Sequence, residues 1–439
     1  MTRARQTAWT RRRRRPGTVA ILFVVLTLAA SCAGTSSAAS LRGQKLEVAA
    51  VWSGTEQARF QEVLRAFEQQ TGVRVTYTSA SDGVPTFLQH RLAAGRPPDV
   101  ALLPQPGLLR QLVGEKAVVP LDDLMGSEIK RNYSPVWQLL GSVNGRLYAV
   151  WFKAANKSLI WYNIGVFERA GVVPPQNLDG LLSVAGSVVR SGVPAFAVGG
   201  SDGWTLTDWF ANLYLRLAGP ARYDLLASHR IPWTDPSVTD TLRLMSRVLA
   251  PGLMTGGTAG ALSTTFNQSV IQAFSDPPGA GMVFEGDFVA GAVTGMTKAE
   301  LGVDADAFTF PSLGQSAPVV MGGGDAAVLM RRSAAGVALM RFLAEPESGS
   351  IWAARGGFVS PNLNVDLAVY PDELSRSIAR SLLDSGNDFR FGLSDLQPIG
   401  FGGVEGQGLR KELQDFLVSR DVDTTASRLE AEARAAFGP

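Results

Sequence analysis

Strand-like and helix-like segments alternate from residue 45 to residue 105, and this alternation constrains the fold more than any other feature of the chain. Apolar and β-branched residues predict a buried strand at 45–52 ("KLEVAAVW"), an alternating strand at 73–78 ("VRVTYT") and a third strand at 97–104 ("PPDVALLP"). Apolar residues recur at helical spacing over 60–67, and a second helical pattern at 86–95 ends at glycine. The chain therefore predicts an α/β fold with a parallel, doubly wound sheet.

The carboxyl ends of these strands are the places where a doubly wound sheet binds its ligands. Polar side chains follow two of the strands, and we take Ser81, Asp82 and Gln105 as candidate binding residues. After the first strand, "SGTE" at 53–56 has the pattern of a capping box that opens a helix, and Gly72 suits the end of that helix.

The motifs that hold phosphates, metals or activated nucleophiles do not occur in the sequence. No dinucleotide fingerprint follows the first strand, and "GGGD" at 322–325 lacks the GxxxxGK[ST] pattern of a phosphate loop. HExxH, GxSxG and spaced cysteine–histidine clusters are missing as well. We therefore expect no cofactor, no metal site and no catalytic residues.

The first 31 residues have the pattern of an export signal peptide. Arginines precede an apolar stretch at 19–30 that is too short to span a membrane comfortably. Small residues then lead to Cys32, the only cysteine of the 439 residues, and this arrangement resembles the lipobox of bacterial lipoproteins. We expect cleavage before Cys32, lipidation of that cysteine, and a flexible tether at 32–44. An ordinary secretory signal with an incidental cysteine is the alternative, and the sequence leaves open Sec or twin-arginine export.

The leader also carries much of the positive charge. Seven of the 41 Lys and Arg residues lie in the first 31 positions, which leaves 34 against 39 Asp and Glu residues, a net charge of −5. This balance provides no basic face for nucleic acid. No later segment has a long uncharged apolar run, so contact with the membrane is expected only through the lipid anchor.

The segment "GWTLTDWF" at 203–210 combines two tryptophans with threonines and an aspartate. A sugar ring has apolar C–H faces and a polar rim, so it suits aromatic rings that lie beside a carboxylate. We therefore take Trp204, Asp208 and Trp209 as candidate ligand contacts. The alternatives are that both tryptophans belong to the core and that Asp208 is only a charge near the start of a helix.

Several stretches resemble the extracellular solute-binding proteins of carbohydrate ABC importers, the maltose-binding-like family, and within it the alpha-glucoside-binding branch. They are 145–172 ("GRLYAVWFKAANKSLIWYNIGVFERAGV"), 203–224 ("GWTLTDWFANLYLRLAGPARYD"), 231–238 ("IPWTDPSV"), 322–330 ("GGGDAAVLM") and 343–371. The resemblance covers nearly all of 45–439. It implies a type II periplasmic-binding-protein-like fold, in which two discontinuous α/β lobes, joined by hinge strands, close on a sugar in the cleft between them.

The resemblance also implies the limits of the lobes and the partners of the protein. One lobe is expected at 45–152 plus 323–355, and the other at 153–322 plus 356–439. The expected partners are a small-molecule carbohydrate, the transmembrane subunits of an ABC permease, and the outer face of the cell membrane through the lipid anchor. The protein is expected to act as a monomer.

More candidate contacts follow from the segments that border the cleft in this family. They are Lys153, Asn156, Glu285, Asp287, Gly323, Gly324, Asp325 and Arg355. The glycines would let the backbone approach a ligand closely. Two of these residues have an ordinary alternative, since Asp325 could cap the following helix and Arg355 could hold a carboxylate.

Two other functions remain open at this point. The same fold could carry a glycerophosphodiester or another polyol. A secreted glycoside-active enzyme would use Glu285 and Asp287, one of which burial would have to keep protonated. The sequence does not name the cargo.

Overall fold

The computed structural model describes residues 41–313 and 319–438, so the export signal and Cys32 lie outside the described residues. Within these ranges no helix has the length and apolarity required to cross a membrane. The strands are β1 (Lys45–Ala50), β2 (Arg74–Ser79), β3 (Val100–Leu103), β4 (Ser142–Val143), β5 (Arg146–Leu147), β6 (Ala149–Asn156), β7 (Leu159–Asn163), β8 (Phe196–Ala197), β9 (Met282–Phe284), β10 (Ala305–Thr309), β11 (Val320–Leu329) and β12 (Phe389–Phe391).

The α-helices cover the faces of two sheets. They are α1 (Gly54–Thr71), α2 (Val84–Ala93), α3 (Pro106–Gly114), α4 (Asp122–Asn132), α5 (Pro135–Leu140), α6 (Ile164–Ala170), α7 (Leu178–Arg190), α8 (Trp204–Ala227), α9 (Pro236–Val248), α10 (Gly257–Ser263), α11 (Phe266–Phe274), α12 (Val289–Met296), α13 (Ala334–Ala344), α14 (Pro346–Ala353), α15 (Glu373–Asp384), α16 (Ile399–Gly402), α17 (Gly408–Ser419) and α18 (Val422–Phe437). Short 3₁₀ turns lie at Ser81–Gly83, Gly200–Asp202, Pro251–Leu253, Leu367–Val369 and Gly386–Asp388.

The first sheet has the strand order β12–β11–β3–β1–β2, and β6 also pairs with β11. β1 is parallel to both β2 and β3, as the alternation of strands and helices predicted. β11 is antiparallel to β3 and β6 and parallel to β12. The parallel arrangement is therefore confirmed for the first three strands, while the later strands make the sheet mixed.

Helix α1 shows why the sequence folds locally as it does at the edge of the cleft. Its apolar residues at helical spacing are buried, and it ends at Gly72, whose φ of 72° is left-handed. The predicted capping box is wrong, because the Ser53 side chain accepts no capping hydrogen bond. Glu56, the other half of that motif, forms an ion pair with Lys153 on β6 instead.

The second sheet has the order β10–β7–β9–β8. β7 is antiparallel to β10 and β9, and β8 is parallel to β9. Helices α7, α8, α9, α17 and α18 contribute the apolar side chains of the core around this sheet. The two sheets and their helices form the two α/β lobes that the sequence predicted.

The chain passes between the two sheets after β6, between β10 and β11, and after β12. These crossing segments bond to one another. The Lys157 amide donates to the Met321 carbonyl at 2.9 Å, and the Gly392 amide donates to the Gly322 carbonyl at 2.8 Å. A group on a crossing segment therefore lies close to both lobes at once.

The limits of the lobes remain a prediction, but the packing of the last part of the chain bears on them. In the segment expected in the second lobe, Ile378 and Leu382 of α15 belong to the core of the first sheet, and β12 pairs with β11. From Leu393 onward most of the buried apolar residues, such as Phe401, belong to the other core, while Ile399 packs with the first. We therefore propose that the second lobe resumes near residue 392.

Candidate functional site

A cleft of about 560 Å³ lies between the lobes, a volume within the range of small-molecule sites. Its walls come from the carboxyl ends of strands in the first sheet and from the starts of helices α8, α11 and α12. Seven of the residues taken from the sequence line it together: Ser81, Gln105, Lys153, Trp204, Asp208, Gly324 and Asp325.

Lys157, which sequence reasoning missed, lies at the centre of an ion cluster in the cleft. Its Nζ is 2.9 Å from Oδ2 of Asp208 and 3.7 Å from Oδ2 of Asp395. The same ammonium lies 5.4 Å from the ring centroid of Trp204, which is a cation–π contact. One lysine on a crossing segment therefore links helix α8 to the segment that follows β12.

Burial and pairing act in opposite directions on the charges of this cluster. Burial raises the pKa of Asp208, Lys157 lowers it, and the pKa lies at about 6. Burial alone would lower the pKa of Lys157, but the charges of Asp208 and Asp395 outweigh it, so that the pKa is raised. Lys157 is therefore a permanent cation that stabilises the ionised form of Asp208.

A second ion cluster lies on the wall that the first lobe provides. Lys153 pairs with Glu56, and its Nζ lies 5.2 Å from the ring of Trp352 and 5.6 Å from that of Phe288. Asp325 stands opposite Lys153 in the β6–β11 ladder, where the register shifts after Asp325. Burial raises the pKa of Asp325 to about 7, although Lys153 lowers it in part.

Gly324 explains how β6 and β11 come so close beside this cluster. A Cβ at Gly324 would lie 2.4 Å from the carbonyl oxygen of Lys153, so any side chain there would push the strands apart. Gly323 does not line the cleft, and a Cβ there would lie 2.9 Å from Cε of Lys157. The glycines thus keep both lysines in place.

The two tryptophans of "GWTLTDWF" have different surroundings. Trp204 lines the cleft, and with Phe266 and Phe288 it forms an aromatic wall whose ring centroids are 5.3 to 6.2 Å apart. Trp209 is 1% exposed and packs on Phe284 at 4.5 Å in the core of the second lobe. Of these two tryptophans, only Trp204 lines the cleft.

Glu285 and Asp287 are fully buried and do not line the cleft. Asp287 accepts a hydrogen bond of 2.6 Å from the backbone amide of Asn156, and burial raises the pKa of Asp287 to about 6. Neither carboxylate oxygen of Glu285 has a well-aligned partner among the described residues. Burial, with the charge of Asp208 nearby, raises the pKa of Glu285 well above its ordinary value.

Two more residues taken from the sequence, Asn156 and Arg355, do not line the cleft, and the position of a third, Asp82, relative to the cleft is not tested. The side-chain amide of Asn156 donates from Nδ2 to Oγ of Ser381 at 2.9 Å, and Asn156 does not line the cleft. Arg355 is exposed and pairs with Glu62, with 2.9 Å between Nη2 and Oε2. Asp82 lies in the turn Ser81–Gly83, but its side chain is outside the described part of the chain. Their roles as ligand contacts stay predictions.

Sequence reasoning missed several residues of the cleft: Glu56, Lys157, Phe266, Phe288, Asp395 and Arg410. Two of them had a readable signal. Glu56 was taken as half of a capping box, and Lys157 continues the alternation of strand β6 by one residue. The others lie on helix starts or loops whose place in the cleft depends on contacts far apart in sequence, and no local pattern marks them.

Comparison with known proteins agrees with this arrangement. Residues 52–349 match the family model described as "Bacterial extracellular solute-binding protein". The chain is 31% identical over 397 residues to the osmoprotective compounds-binding protein GgtB of Synechocystis, covering 88% of this chain and 91% of that protein. It is 32% identical over 379 residues to the alpha-glucosides-binding periplasmic protein AglE of Rhizobium meliloti, covering 82% of each.

A solved structure extends the comparison to the fold. The bacterial solute receptor AcbH, described as exclusively preferring β-D-galactopyranose, superposes with a TM-score of 0.78 at 19% identity, covering 90% of this chain and 100% of that one. At this identity the likeness concerns the two-lobe α/β fold. With a family match over most of its length and relatives above 30% identity, the chain belongs to the bacterial extracellular solute-binding proteins, and it is a binding protein, not an enzyme.

Proposed function

We propose that this protein captures an uncharged sugar, an alpha-glucoside or another oligosaccharide, in the cleft and delivers it to the membrane permease of an ABC importer. The observation that carries the proposal is the Lys157 cluster beneath the face of Trp204. A carboxylate accepts hydrogen bonds from ring hydroxyls, an ammonium donates to them, and an indole covers a C–H face. The name of the relative AglE, an alpha-glucosides-binding protein, supports the same class of cargo.

The hydrogen bonds available in the cleft are of the strong kind. Asp208, Asp325 and Asp395 offer carboxylate oxygens, and Lys153 and Lys157 offer ammonium donors. Hydrogen bonds to charged groups contribute about 1.5–3 kcal/mol each. Two or three of them, with one stacked ring, contribute about 3.5–10.5 kcal/mol in total, and the upper part of this range exceeds the roughly 8.2 kcal/mol of a micromolar Kd.

The charge of the cleft favours an uncharged cargo over a glycerophosphodiester. Its lining residues include five carboxylic acids, Glu56, Asp202, Asp208, Asp325 and Asp395, against three basic residues, Lys153, Lys157 and Arg410. A phosphate would meet a surplus of negative charge at short range, which opposes binding. A neutral polyol keeps the fold and the charge balance and is the closer alternative.

The arrangement of Glu285 and Asp287 gives no support to glycoside cleavage. A glycosidase places two carboxyl groups on opposite sides of the bond that it cuts. Here both residues are buried and neither lines the cleft.

We further propose that the protein works as a monomer held on the outer face of the cell membrane through lipidated Cys32. The support comes from the sequence, because Cys32 is the only cysteine and follows a short apolar leader. The tether at 32–44 would then place the lobes within reach of the permease.

A ligand panel tests the proposed function. The folded protein is heated with maltose, trehalose, sucrose, galactose, glycerol or sn-glycero-3-phosphocholine, and the melting temperature is followed. A ligand at 100 times its Kd stabilises the folded state by about 2.7 kcal/mol, so the correct class gives a clear upward shift. Chromatography of the same mixtures checks that the sugars stay intact. The proposal is contradicted if only the phosphodiester raises the melting temperature. It is also contradicted if no sugar of the panel raises it.

A further inference from the structure

Arg410 is a buried cation with unmet hydrogen-bond donors at the wall of the cleft. It lies in the first turn of α17, lines the cleft and is 6% exposed. Neither Nε nor Nη1 has a hydrogen-bond partner among the described residues. Unpaired donors on a buried guanidinium are unfavourable, and because Arg410 also lines the cleft, a ligand bound there can supply the missing acceptors.

The scaffold of the second lobe fixes the position of Arg410. One helical turn further along α17, the Gln414 side-chain amide donates to the carbonyls of Gly200 and Ser201, at 2.9 and 3.0 Å. These carbonyls belong to the turn that precedes α8. Gly203 allows this close approach, because a Cβ there would lie 2.9 Å from Cβ of Arg410. The arginine is therefore held beside the start of α8, which carries Trp204 and Asp208.

The surroundings of Arg410 are those of the Lys157 cluster. Burial raises the pKa of Asp208, whereas Lys157 and, more weakly, Arg410 lower it, so the guanidinium acts on that carboxylate without bonding to it. On the same side of the cleft, Gln105 has a side-chain oxygen without a partner among the described residues. Its amide lies within 3.1 Å of the position of a Cβ at Gly403, in the segment that leads to α17. Arg410 and Gln105 thus line the same cavity, and each has buried side-chain atoms without a hydrogen-bond partner among the described residues.

A hydroxyl group is the ligand chemistry that satisfies both kinds of group. Each hydroxyl donates one hydrogen bond and accepts others, so neighbouring hydroxyls can donate to Asp208 or Gln105 and accept from Arg410. A carboxylate or phosphate only accepts, and it would lie against Asp208 and Asp395. An ammonium only donates and would leave Arg410 without an acceptor.

Resting on the sugar-binding function proposed above, we infer that Arg410 is a ligand-binding residue whose guanidinium donates to hydroxyl oxygens of the sugar at the Trp204 end of the cleft. The residue contributes to affinity and to the preference for uncharged polyhydroxyl ligands. It contributes little to the stability of the unliganded protein, since neither Nε nor Nη1 has a hydrogen-bond partner among the described residues.

Three variants test this inference. Arg410→Met keeps the apolar stem and removes the charge, Arg410→Lys keeps the charge but loses the planar fork, and Arg420→Met is the matched control. Arg420 ends the same helix, donates to the Leu249 carbonyl at 2.8 Å, and does not line the cleft. Each protein is titrated by calorimetry with the sugar of the panel (maltose, trehalose, sucrose or galactose) that shifts the wild-type melting temperature most, and each is also melted without sugar.

We expect Arg410→Met to raise Kd at least tenfold, Arg410→Lys to have an intermediate Kd, and Arg420→Met to keep the wild-type value. Without sugar, Arg410→Met should melt no lower than Arg420→Met. A Kd within twofold of wild type for Arg410→Met overturns the inference. It is also overturned if both Arg410 variants melt well below Arg420→Met, or fail to fold, because the residue is then structural. If wild type binds none of the sugars, the proposed function itself has failed.

Discussion

Replacing Trp204 and Trp209 separately by alanine distinguishes a cleft tryptophan from a core tryptophan on one helix. Trp209 is 1% exposed and lies among Phe196, Phe284 and Phe310, with ring centroids 4.5 to 5.7 Å away. Trp204 is half-buried and lines the cleft beside Lys157. The same substitution should therefore mainly lower stability at Trp209 and mainly weaken ligand binding at Trp204.

The expected magnitudes follow from this burial. A buried tryptophan removes about 150–250 Å² from water, worth about 4–6 kcal/mol at 25 cal/mol per Å², and measured losses on truncation are about 3–5 kcal/mol. In a folding unit of about 200 residues each kcal/mol lowers Tm by about 2–4 °C, so Trp209→Ala should lose about 6–20 °C. Trp204→Ala leaves no enclosed cavity and should cost about 1–2 kcal/mol of stability. It should, however, lose about 1–3 kcal/mol of binding, a factor of about 5 to 150 in Kd.

Calorimetric titration with the best sugar of the panel measures Kd, and melting curves without sugar measure stability. Trp209→Ala is titrated well below its Tm, so that its Kd refers to folded protein. The reasoning is refuted if Trp204→Ala keeps the wild-type Kd, or if the two variants lose similar amounts of Tm.

Three further outcomes are expected. Asp208→Asn should raise Kd, measured by calorimetry, about tenfold or more, because a charge-assisted hydrogen bond is lost. Asp240, which pairs with Arg243 on the surface, is the control, and Asp240→Asn should leave Kd unchanged. Equal effects of the two substitutions would contradict the role of Asp208. The folded protein holds protons on Asp208 (pKa about 6) and Asp325 (pKa about 7) that the unfolded chain releases near 3.8, so the Tm without sugar should fall as pH rises from about 4 to 7. The affinity for the sugar should rise over the same range, because the carboxylates ionise. Melting and titration at pH 5 and pH 8 check both expectations, and weaker binding at pH 8 would refute the second. Cys32→Ser should move the protein from the membrane fraction to the soluble fraction in cell fractionation, and retention in equal amount would exclude the lipid anchor.

Local patterns predicted a large part of the fold. Periodicity located β1, β2 and β3 and the helices between them to within about three residues, because each of these elements buries a face of its own. The antiparallel pairing of β11 with β3 and β6 joins segments far apart in sequence, and no local signal encodes such a partner. The two-lobe architecture came from the resemblance to a family, which carries long-range information that periodicity lacks.

The two tryptophans show that composition alone does not predict which residues line the cleft. Residues five apart on an α-helix are rotated by about 140° around its axis, so Trp204 and Trp209 cannot both face one cleft. Composition named the pair but could not choose between them. The choice depends on the rest of the helix, whose buried face includes Phe210, Leu213 and Tyr214.

The alternation of side chains along strand β6 would have identified Lys157 as a cleft residue from the sequence. Lys153, Ala155 and Lys157 line the cleft, while Ala154 and Asn156 do not. Side chains on a strand alternate between its two faces, so a lysine at 153 that faces the ligand implies 155 and 157 on the same side and 156 on the other. Lys153 and Asn156, three residues apart, cannot share a strand face. The alternation continues one residue beyond β6, so a segment that leaves the first sheet supplies the cation that pairs with Asp208 on α8. Both lobes therefore contribute to one polar surface of the cleft.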